Sequence, residues 1–131
     1  MATLYENYIT GDDAGYGLGQ ATWNAQTFTP STSHTITSGK LKLWRGLSGA
    51  VTVSIRATDV NGKPTGSDLA SGSIAQSAIS TSSPGTWVEA TLGAGTLLAV
   101  STKYAIVVRA PSANTDSSLQ WRTDTTSPTY T

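Results

Sequence analysis

The chain has 131 residues, of which eight are basic and eight acidic, so its formal net charge is zero and only 12% of its residues are charged. This length suits one ordinary domain, whose core requires neither a disulfide nor a metal. The absence of cysteine excludes thiol nucleophiles, disulfide scaffolds and cysteine-bound metals. The basic residues are scattered, which argues against nucleic acid as a partner, because such binding relies on clustered Lys and Arg facing phosphates.

The first segment, Met1–Thr10, has neither the basic start nor the apolar stretch of a secretion signal. No run in the chain approaches the ~20 apolar residues of a membrane span, so we expect no membrane partner. We expect the protein to be made in the cytoplasm without a signal peptide. Leu4–Ile9 is predicted as a strand. Gly11–Gly19 is rich in glycine, but it lacks the Lys-Ser/Thr pair of a phosphate-binding loop and no helical pattern follows it, so it does not predict a nucleotide site. We predict a mobile surface loop there.

Short alternating apolar runs, separated by turn residues, dominate the rest of the chain. The clearest is Ala50–Ala57, where Val51, Val53 and Ile55 fall on one face and polar side chains on the other. Further strands are predicted at 22–29, 41–44, 69–75, 86–92, 103–110 and 118–123. No window carries a helical stripe of useful length. The pattern predicts an all-β protein, an antiparallel β-sandwich or jelly roll of about eight strands, with residues 1–131 forming one domain.

Three local patterns add detail to this architecture. The segment Gly46–Gly49 has the length and glycines of a hairpin loop, which predicts that the strand at 41–44 pairs with the strand at 50–57. Asp59–Gly66 contains Asn-Gly and Pro-Thr-Gly, which indicate a loop. Ala105 and Val107 make the strand at 103–110 apolar on both faces, which predicts a central place in its sheet.

Several strings, in this order and spacing, resemble the β-sandwich domain called choice-of-anchor R, which occurs in bacterial surface proteins and in phage virion and tail-associated proteins. The strings are residues 23–30, 41–43, 53–59, 62–66, 104–108, 121–124 and 127–130. The resemblance spans most of the chain, and it implies a structural role without naming any chemistry. Family members continue into a hairpin and a final strand, whereas this chain stops at Thr131. We therefore expect a missing C-terminal strand and a sheet edge open to another chain.

The sequence does not predict an enzyme. His34 is the only imidazole, and no Gly-x-Ser-x-Gly elbow surrounds a nucleophile that it would serve as base, so we interpret it as a surface or loop residue. Six of the eight carboxylates are Asp residues in apparent turns, where side-chain hydrogen bonds to the backbone explain them. The sequence predicts no catalytic residue and no cofactor.

The acidic loop segments suggest one metal, a structural Ca²⁺, because carboxylates and backbone carbonyls in loops bind it. The candidates are Asp12 and Asp13 after Gly11, and the stretch from Asp59 to Gly62. Neither has the ligand count of a recognised calcium loop, and the second is most simply a turn. We predict no metal site, with Ca²⁺ at Asp12 or Asp13 as the alternative.

Aromatic rings supply the remaining chemistry, since the apolar faces of sugars stack on Trp and Tyr while polar side chains bind the hydroxyls. Alternation along its strand places Trp44 outward, whereas Trp121 shares the parity of Leu119, which favours the core. Trp23 and Trp87 are predicted as core residues. The candidate carbohydrate-binding set is Trp44, Tyr16, Trp121, Arg122 and Asp124.

Two functions from different classes follow. The first is a non-enzymatic structural subunit of a phage virion, in assembly, capsid decoration or the tail. It would act through protein–protein contacts, as a homo-oligomer or within the virion shell or tail, and would be used outside the cell. Its candidate assembly contacts are Leu4, Tyr5, Tyr8, Ile9 and Tyr130. The alternative is a carbohydrate-binding or adhesion module of a larger surface or tail-fibre protein, whose partner is a glycan.

Overall fold

The computed structural model describes residues 14–19, 22–46, 49–113 and 119–123. Its strands are β1 (Ala14–Leu18), β2 (Asn24–Phe28), β3 (His34–Arg45), β4 (Val51–Thr58), β5 (Pro64–Ile74), β6 (Thr86–Leu98), β7 (Tyr104–Arg109) and β8 (Leu119–Thr123). One short 3₁₀ turn, Gln76–Ala78, lies between β5 and β6. Within the described ranges, no helix has the length and apolar character needed to cross a membrane.

The eight strands form two antiparallel four-stranded sheets. The first sheet has the order β1-β8-β3-β6, and the second has the order β2-β7-β4-β5. The pairs β1–β8, β2–β7, β3–β6 and β4–β5 are nested, so the first half of the chain pairs with the second half in reverse order. The predicted all-β sandwich of about eight strands is confirmed.

The hydrophobic core lies between the two sheets, where alternation along each strand places the apolar side chains. In β4, Val51, Val53 and Ile55 are fully buried, as the sequence pattern predicts, and in β3 Leu41 and Leu43 are buried. The other buried apolar side chains packed with them are Leu18, Ile74, Ile79, Ala90, Leu92, Leu98, Tyr104, Val108, Ala110, Ala113 and Leu119. Burial of this apolar surface is the main driving force for the fold.

Strand β7 lies between β2 and β4, so its predicted central position is confirmed. Ala105 and Val107 point away from the core, yet both are buried. In register, Ala105 lies opposite Arg56 and Val107 lies opposite Ser54 of β4. Other side chains on the outer face of the second sheet therefore cover Ala105 and Val107.

Two local predictions are wrong. Strands β3 and β4 do not pair, because β3 belongs to the first sheet and β4 to the second. The short connection between β3 and β4 contains glycine, as a hairpin turn does, but it crosses from one sheet to the other. The glycine-rich segment predicted as a mobile loop contains β1, which pairs with β8. Its Gly15 leaves room for the side chains of Gln120 and Arg122, which lie close to its backbone.

The two sides of the sandwich are joined differently. On one side, β5 packs against β6 so closely that a Cβ on Gly72 would fall on the carbonyl oxygen of Thr91. On the other side, Nδ2 of Asn24 in β2 donates a 2.9 Å hydrogen bond to the carbonyl oxygen of Gly17 in β1. Both contacts link one sheet to the other.

Several predictions concern residues beyond the described ranges. These are the strand at Leu4–Ile9, the calcium candidates Asp12 and Asp13, the assembly contacts Leu4, Tyr5, Tyr8, Ile9 and Tyr130, and the sugar-binding candidate Asp124. The described strands also extend past three predicted bounds: β3 begins at His34, β5 begins at Pro64, and β6 continues to Leu98.

Candidate functional site

Trp23 lies on the surface, directly before β2, and 53% of its area is exposed. The prediction that it belongs to the core is wrong: the next residue, Asn24, faces inward opposite Val108, so Trp23 falls on the outer side, where two arginines from distant parts of the chain lie against its ring. The guanidinium carbon of Arg109 lies 4.8 Å from the centre of the Trp23 ring, and that of Arg56 lies 5.5 Å from it. These are cation–π distances, at which the guanidinium charge is attracted to the face of the ring.

One carboxylate binds both arginines. Oδ1 of Asp68 accepts a 2.6 Å hydrogen bond from Nε of Arg56, and Oδ2 accepts a 2.8 Å bond from a terminal nitrogen of Arg109. That nitrogen also donates to the hydroxyl of Ser54, at 2.7 Å. Trp23, Ser54, Arg56, Asp68 and Arg109 together form what we call the Trp23 cluster. Its charged hydrogen bonds are of the strong kind, and they fix both guanidinium groups under the ring.

The environment of Asp68 keeps its carboxylate ionised. Burial raises the pKa of Asp68, but hydrogen bonds from Arg56, Arg109 and Ser54, together with the positive charge of Arg109, outweigh burial and hold that pKa below its ordinary value. The cluster then contains two positive charges and one negative charge, which leaves it with a net charge of +1.

The register of the second sheet explains why these side chains meet. Ile55 pairs with Ala70 and Ala57 pairs with Thr65, so residues 66–69 of β5 lie opposite Arg56 alone. This bulge turns Asp68 toward β4 on the outer face of the sheet, an effect that bulges commonly have near functional sites. Arg109 reaches the same place from β7, where it lies opposite Thr52.

Some donors of the Trp23 cluster have no protein acceptor in the described part of the chain. The hydrogen bonds of Arg56 to described residues use only its Nε. Nε of Arg109 is buried and has no hydrogen-bond partner among those residues. Because that Nε is buried, it does not reach the surface, and the donors that the cluster presents beside the exposed ring of Trp23 are the terminal nitrogens of Arg56.

The outer face of the first sheet carries a second aromatic group. Trp87 in β6 is 45% exposed, which contradicts its predicted core position, and it lies opposite Lys42 of β3. Trp44 points to the same face and is half-buried, as alternation predicts for an outward side chain. Lys40 lies opposite Glu89 on this face. We call Trp87, Trp44, Lys42, Lys40 and Glu89 the Trp87 face.

The predicted carbohydrate-binding set is divided between the two sides of the first sheet. Trp44 and Arg122 point outward. Tyr16 and Trp121 lie opposite each other in β1 and β8, with the inward parity of Leu18 and Leu119. Trp121 is half-buried against the core, as its parity predicts. Tyr16 is 55% exposed, although it stands in a strand rather than a loop. These residues do not form one site.

His34 and Asp59 have local structural roles. His34 begins β3 and is only 8% exposed, so the prediction of a surface histidine is wrong; its Nδ1 lies 2.8 Å from the carbonyl oxygen of Thr32. Oδ1 of Asp59 accepts hydrogen bonds from the backbone amides of Asn61 and Lys63, which confirms the predicted turn. No group of three or more metal-ligating side chains occurs among residues 14–19, 22–46, 49–113 and 119–123.

No protein-family model matches the chain, and the searches of curated proteins and of solved structures found no match. The resemblance to the choice-of-anchor R domain stays a prediction that rests on the sequence strings alone. The two outer faces of the sandwich carry the candidate sites: the Trp23 cluster and the Trp87 face.

Proposed function

We propose that this domain is a non-enzymatic structural subunit of a phage virion, working in assembly, capsid decoration or the tail through contacts with further copies of itself. The observation that carries this proposal is the exposure of Trp87 on the outer face of the first sheet. Tryptophan buries more area than most side chains when it is covered, and it is enriched among the residues that dominate protein–protein binding energy.

The surroundings of Trp87 favour a contact between identical copies. Lys40 and Glu89 face each other across β3 and β6, so both signs of charge stand on the same face as the ring. A two-fold contact places the same patch on both partners and therefore needs a patch that complements itself. A face that mixes Lys, Glu and Trp meets this requirement, since each Lys can approach the Glu of the other copy.

The architecture gives independent support for this class of function. The nested pairing of β1 with β8, β2 with β7, β3 with β6 and β4 with β5 supports the jelly-roll form of the sandwich. Viral capsid proteins and lectins use jelly rolls. The resemblance to choice-of-anchor R domains, which occur in virion and tail-associated proteins, points in the same direction.

The experiment is a light-scattering mass measurement across a concentration series, made on the wild type and on Trp87→Ala. We expect the wild-type mass to rise above that of the 13.6 kDa monomer, and the variant to stay closer to the monomer mass. Val60→Ala is the matched control, because Val60 is a fully exposed apolar side chain in the turn after β4. A wild-type monomer at every concentration would overturn the proposal, as would equal association of wild type and Trp87→Ala.

A carbohydrate-binding or adhesion module is the second candidate, and the Trp23 cluster favours it. An exposed indole ring fixed by two arginines is a rigid platform for the apolar face of a sugar, and the adjacent guanidinium donors suit its oxygens. A glycan-array signal that Trp23→Ala abolishes and Trp87→Ala preserves would establish this candidate. A glycan-array signal that persists in both variants would exclude the Trp23 cluster as the site.

A further inference from the structure

We infer that the two sheets form a cleft between β1 and β2 that binds a neutral sugar. The rings of Tyr16 and Trp121 lie on one wall of this cleft, and the amide side chains of Asn24 and Gln26 lie on the other. The site uses neither the Trp87 face nor the Trp23 cluster, so it goes beyond both candidate functions. It shares with the second candidate only the class of ligand.

In the first sheet, the inward side chains become more exposed toward β1. Leu43, Trp121 and Tyr16 lie side by side on the inward face, in that order from β3 through β8 to the edge strand β1. Leu43 is fully buried, Trp121 is half-buried and Tyr16 is 55% exposed. The second sheet therefore does not cover the inward face of the first sheet along β1.

The second sheet shows the same gradient toward its own edge strand, β2. Ile55, Ile106 and Gln26 lie side by side on the inward face, on β4, β7 and β2 in that order. Ile55 is fully buried and Ile106 is half-buried, whereas Gln26 is exposed although it points between the sheets. Because β5 and β6 pack closely on the opposite side of the sandwich, the gap between the sheets widens into a cleft at β1 and β2.

Asn24 joins the two walls of the cleft. Its Nδ2 donates the 2.9 Å hydrogen bond that reaches the carbonyl oxygen of Gly17, the residue after Tyr16. Gln26 lies on the same face of β2, and its Nε2 donates a 2.9 Å hydrogen bond to the carbonyl oxygen of Thr27. These bonds fix both amide groups, and the side-chain oxygens of Asn24 and Gln26 accept no hydrogen bond from any described residue. Two oriented acceptors therefore remain for a ligand.

This combination of side chains suits a neutral sugar. The C–H faces of a sugar ring stack on aromatic rings, while its hydroxyl groups donate hydrogen bonds to amide oxygens. No charged side chain points inward from the described residues of β1, β2 and β8, so a charged ligand would lose water without gaining a counter-charge. An aliphatic chain would cover the amide oxygens and leave them without hydrogen bonds. The walls therefore favour a ligand that has both apolar faces and hydroxyl groups.

The test is a titration of the protein with short neutral oligomers of glucose, mannose, galactose and N-acetylglucosamine, followed by nuclear magnetic resonance of the tryptophan indole N–H groups. We expect at least one oligomer to shift the Trp121 signal and to leave the Trp23 and Trp87 signals in place. Tyr16→Ala removes the exposed ring and should weaken binding about tenfold or more. Gln26→Ala removes an acceptor and should weaken binding about threefold or more.

Two control variants leave the cleft intact. Thr27→Ala changes a side chain of the same strand that points to the outer face, and Trp23→Ala removes a ring from that face. Neither should change the affinity. Tyr16 and Gln26 are exposed, so their variants leave the core unchanged, and far-UV circular dichroism verifies that they remain folded. If a variant does not fold, the response of the Trp121 signal in the wild type still decides the inference.

The inference fails if the sugars shift the Trp23 signal rather than the Trp121 signal, and the second candidate function then stands on the Trp23 cluster. It also fails if wild type and Tyr16→Ala bind with equal affinity. Tighter binding of polygalacturonate than of every neutral oligomer would contradict the neutral class of ligand. Binding of none of these sugars would exclude both this site and the carbohydrate-binding function, and it would leave the proposed contact between copies unaffected.

Discussion

Arg109 and Trp23 lie against each other on the outer face of the second sheet, with the guanidinium carbon 4.8 Å from the ring centre. Trp23 is therefore in contact with a charged surface side chain, whereas a tryptophan in a small sandwich is expected in the apolar core. Trp23 is a surface residue, and smaller apolar side chains fill the core. The two most exposed tryptophans, Trp23 and Trp87, are the basis of the two candidate functions.

The stability of tryptophan variants tests this placement. Trp23→Ala and Trp87→Ala should each cost about 1 kcal/mol or less, because an exposed ring contributes little beyond its cation–π and partial packing contacts. Leu43→Ala, which truncates a fully buried side chain, should cost about 2–5 kcal/mol. Urea unfolding monitored by circular dichroism measures all three. A loss for Trp23→Ala as large as that for Leu43→Ala would place Trp23 in the core after all.

Acid should weaken the fold partly through Asp68. A carboxylate whose pKa is lower in the folded than in the unfolded chain stabilises the fold at pH values above its ordinary pKa, about 3.9. That contribution is lost as the pH falls through the lower, folded-state pKa. Asp68→Asn should therefore be less stable than wild type at neutral pH and should lose less stability below about pH 4. Thermal melts between neutral and acidic pH measure this, and parallel curves for the two proteins would contradict it.

Gly72 should not tolerate a side chain. A Cβ at this position would fall on the backbone carbonyl of Thr91, where β5 packs against β6. Because the obstacle is backbone rather than a flexible side chain, Gly72→Ala should cost about 1–3 kcal/mol. Gly46→Ala is the matched control, since a Cβ on Gly46 meets nothing within 4 Å. Equal unfolding free energies for the two variants would show that the sheets are not packed this closely.

The turn between β4 and β5 should depend on the Asp59 side chain. Its Oδ1 accepts hydrogen bonds from the amides of Asn61, at 2.8 Å, and Lys63, at 3.0 Å. Asp59→Ala removes both and should cost about 0.5–1.5 kcal/mol. Asp59→Asn retains an acceptor oxygen and should recover most of the loss. Chemical denaturation compares the three proteins, and an unchanged midpoint for Asp59→Ala would contradict this role.

Alternation of apolar and polar residues correctly predicted which side chains of β4 are buried and that β7 is a central strand. In β4, Val51, Val53 and Ile55 face the core because successive side chains point to opposite faces of a strand. In β7, Ala105 and Val107 indicated a central strand for the same reason. Alternation could not show that β3 and β4 belong to different sheets, because the loop signal at Gly46–Gly49 does not distinguish a hairpin from a crossing between sheets.

The Trp23 cluster was missed because its members are far apart in the sequence. Alternation placed Arg56 on the water-facing side of β4, which was correct, but the position of Asp68 beside it depends on a bulge that has no clear sequence signal. The size of its ring alone predicts a core position for Trp23. Alternation in the predicted strand at 22–29 places Phe28 and Trp23 on opposite faces, which is the sequence signal that the two rings do not share the core.

Nuclear magnetic resonance of the tryptophan indole N–H groups during dilution tests the central claim most directly, because it reports each ring separately. If copies of this domain meet through the Trp87 face, the Trp87 signal shifts as the concentration falls, and the Trp44 signal, from the same face, shifts with it. The Trp23 signal, from the opposite outer face, stays in place. Shifts confined to Trp23, or no concentration-dependent shift in any ring, would contradict the account.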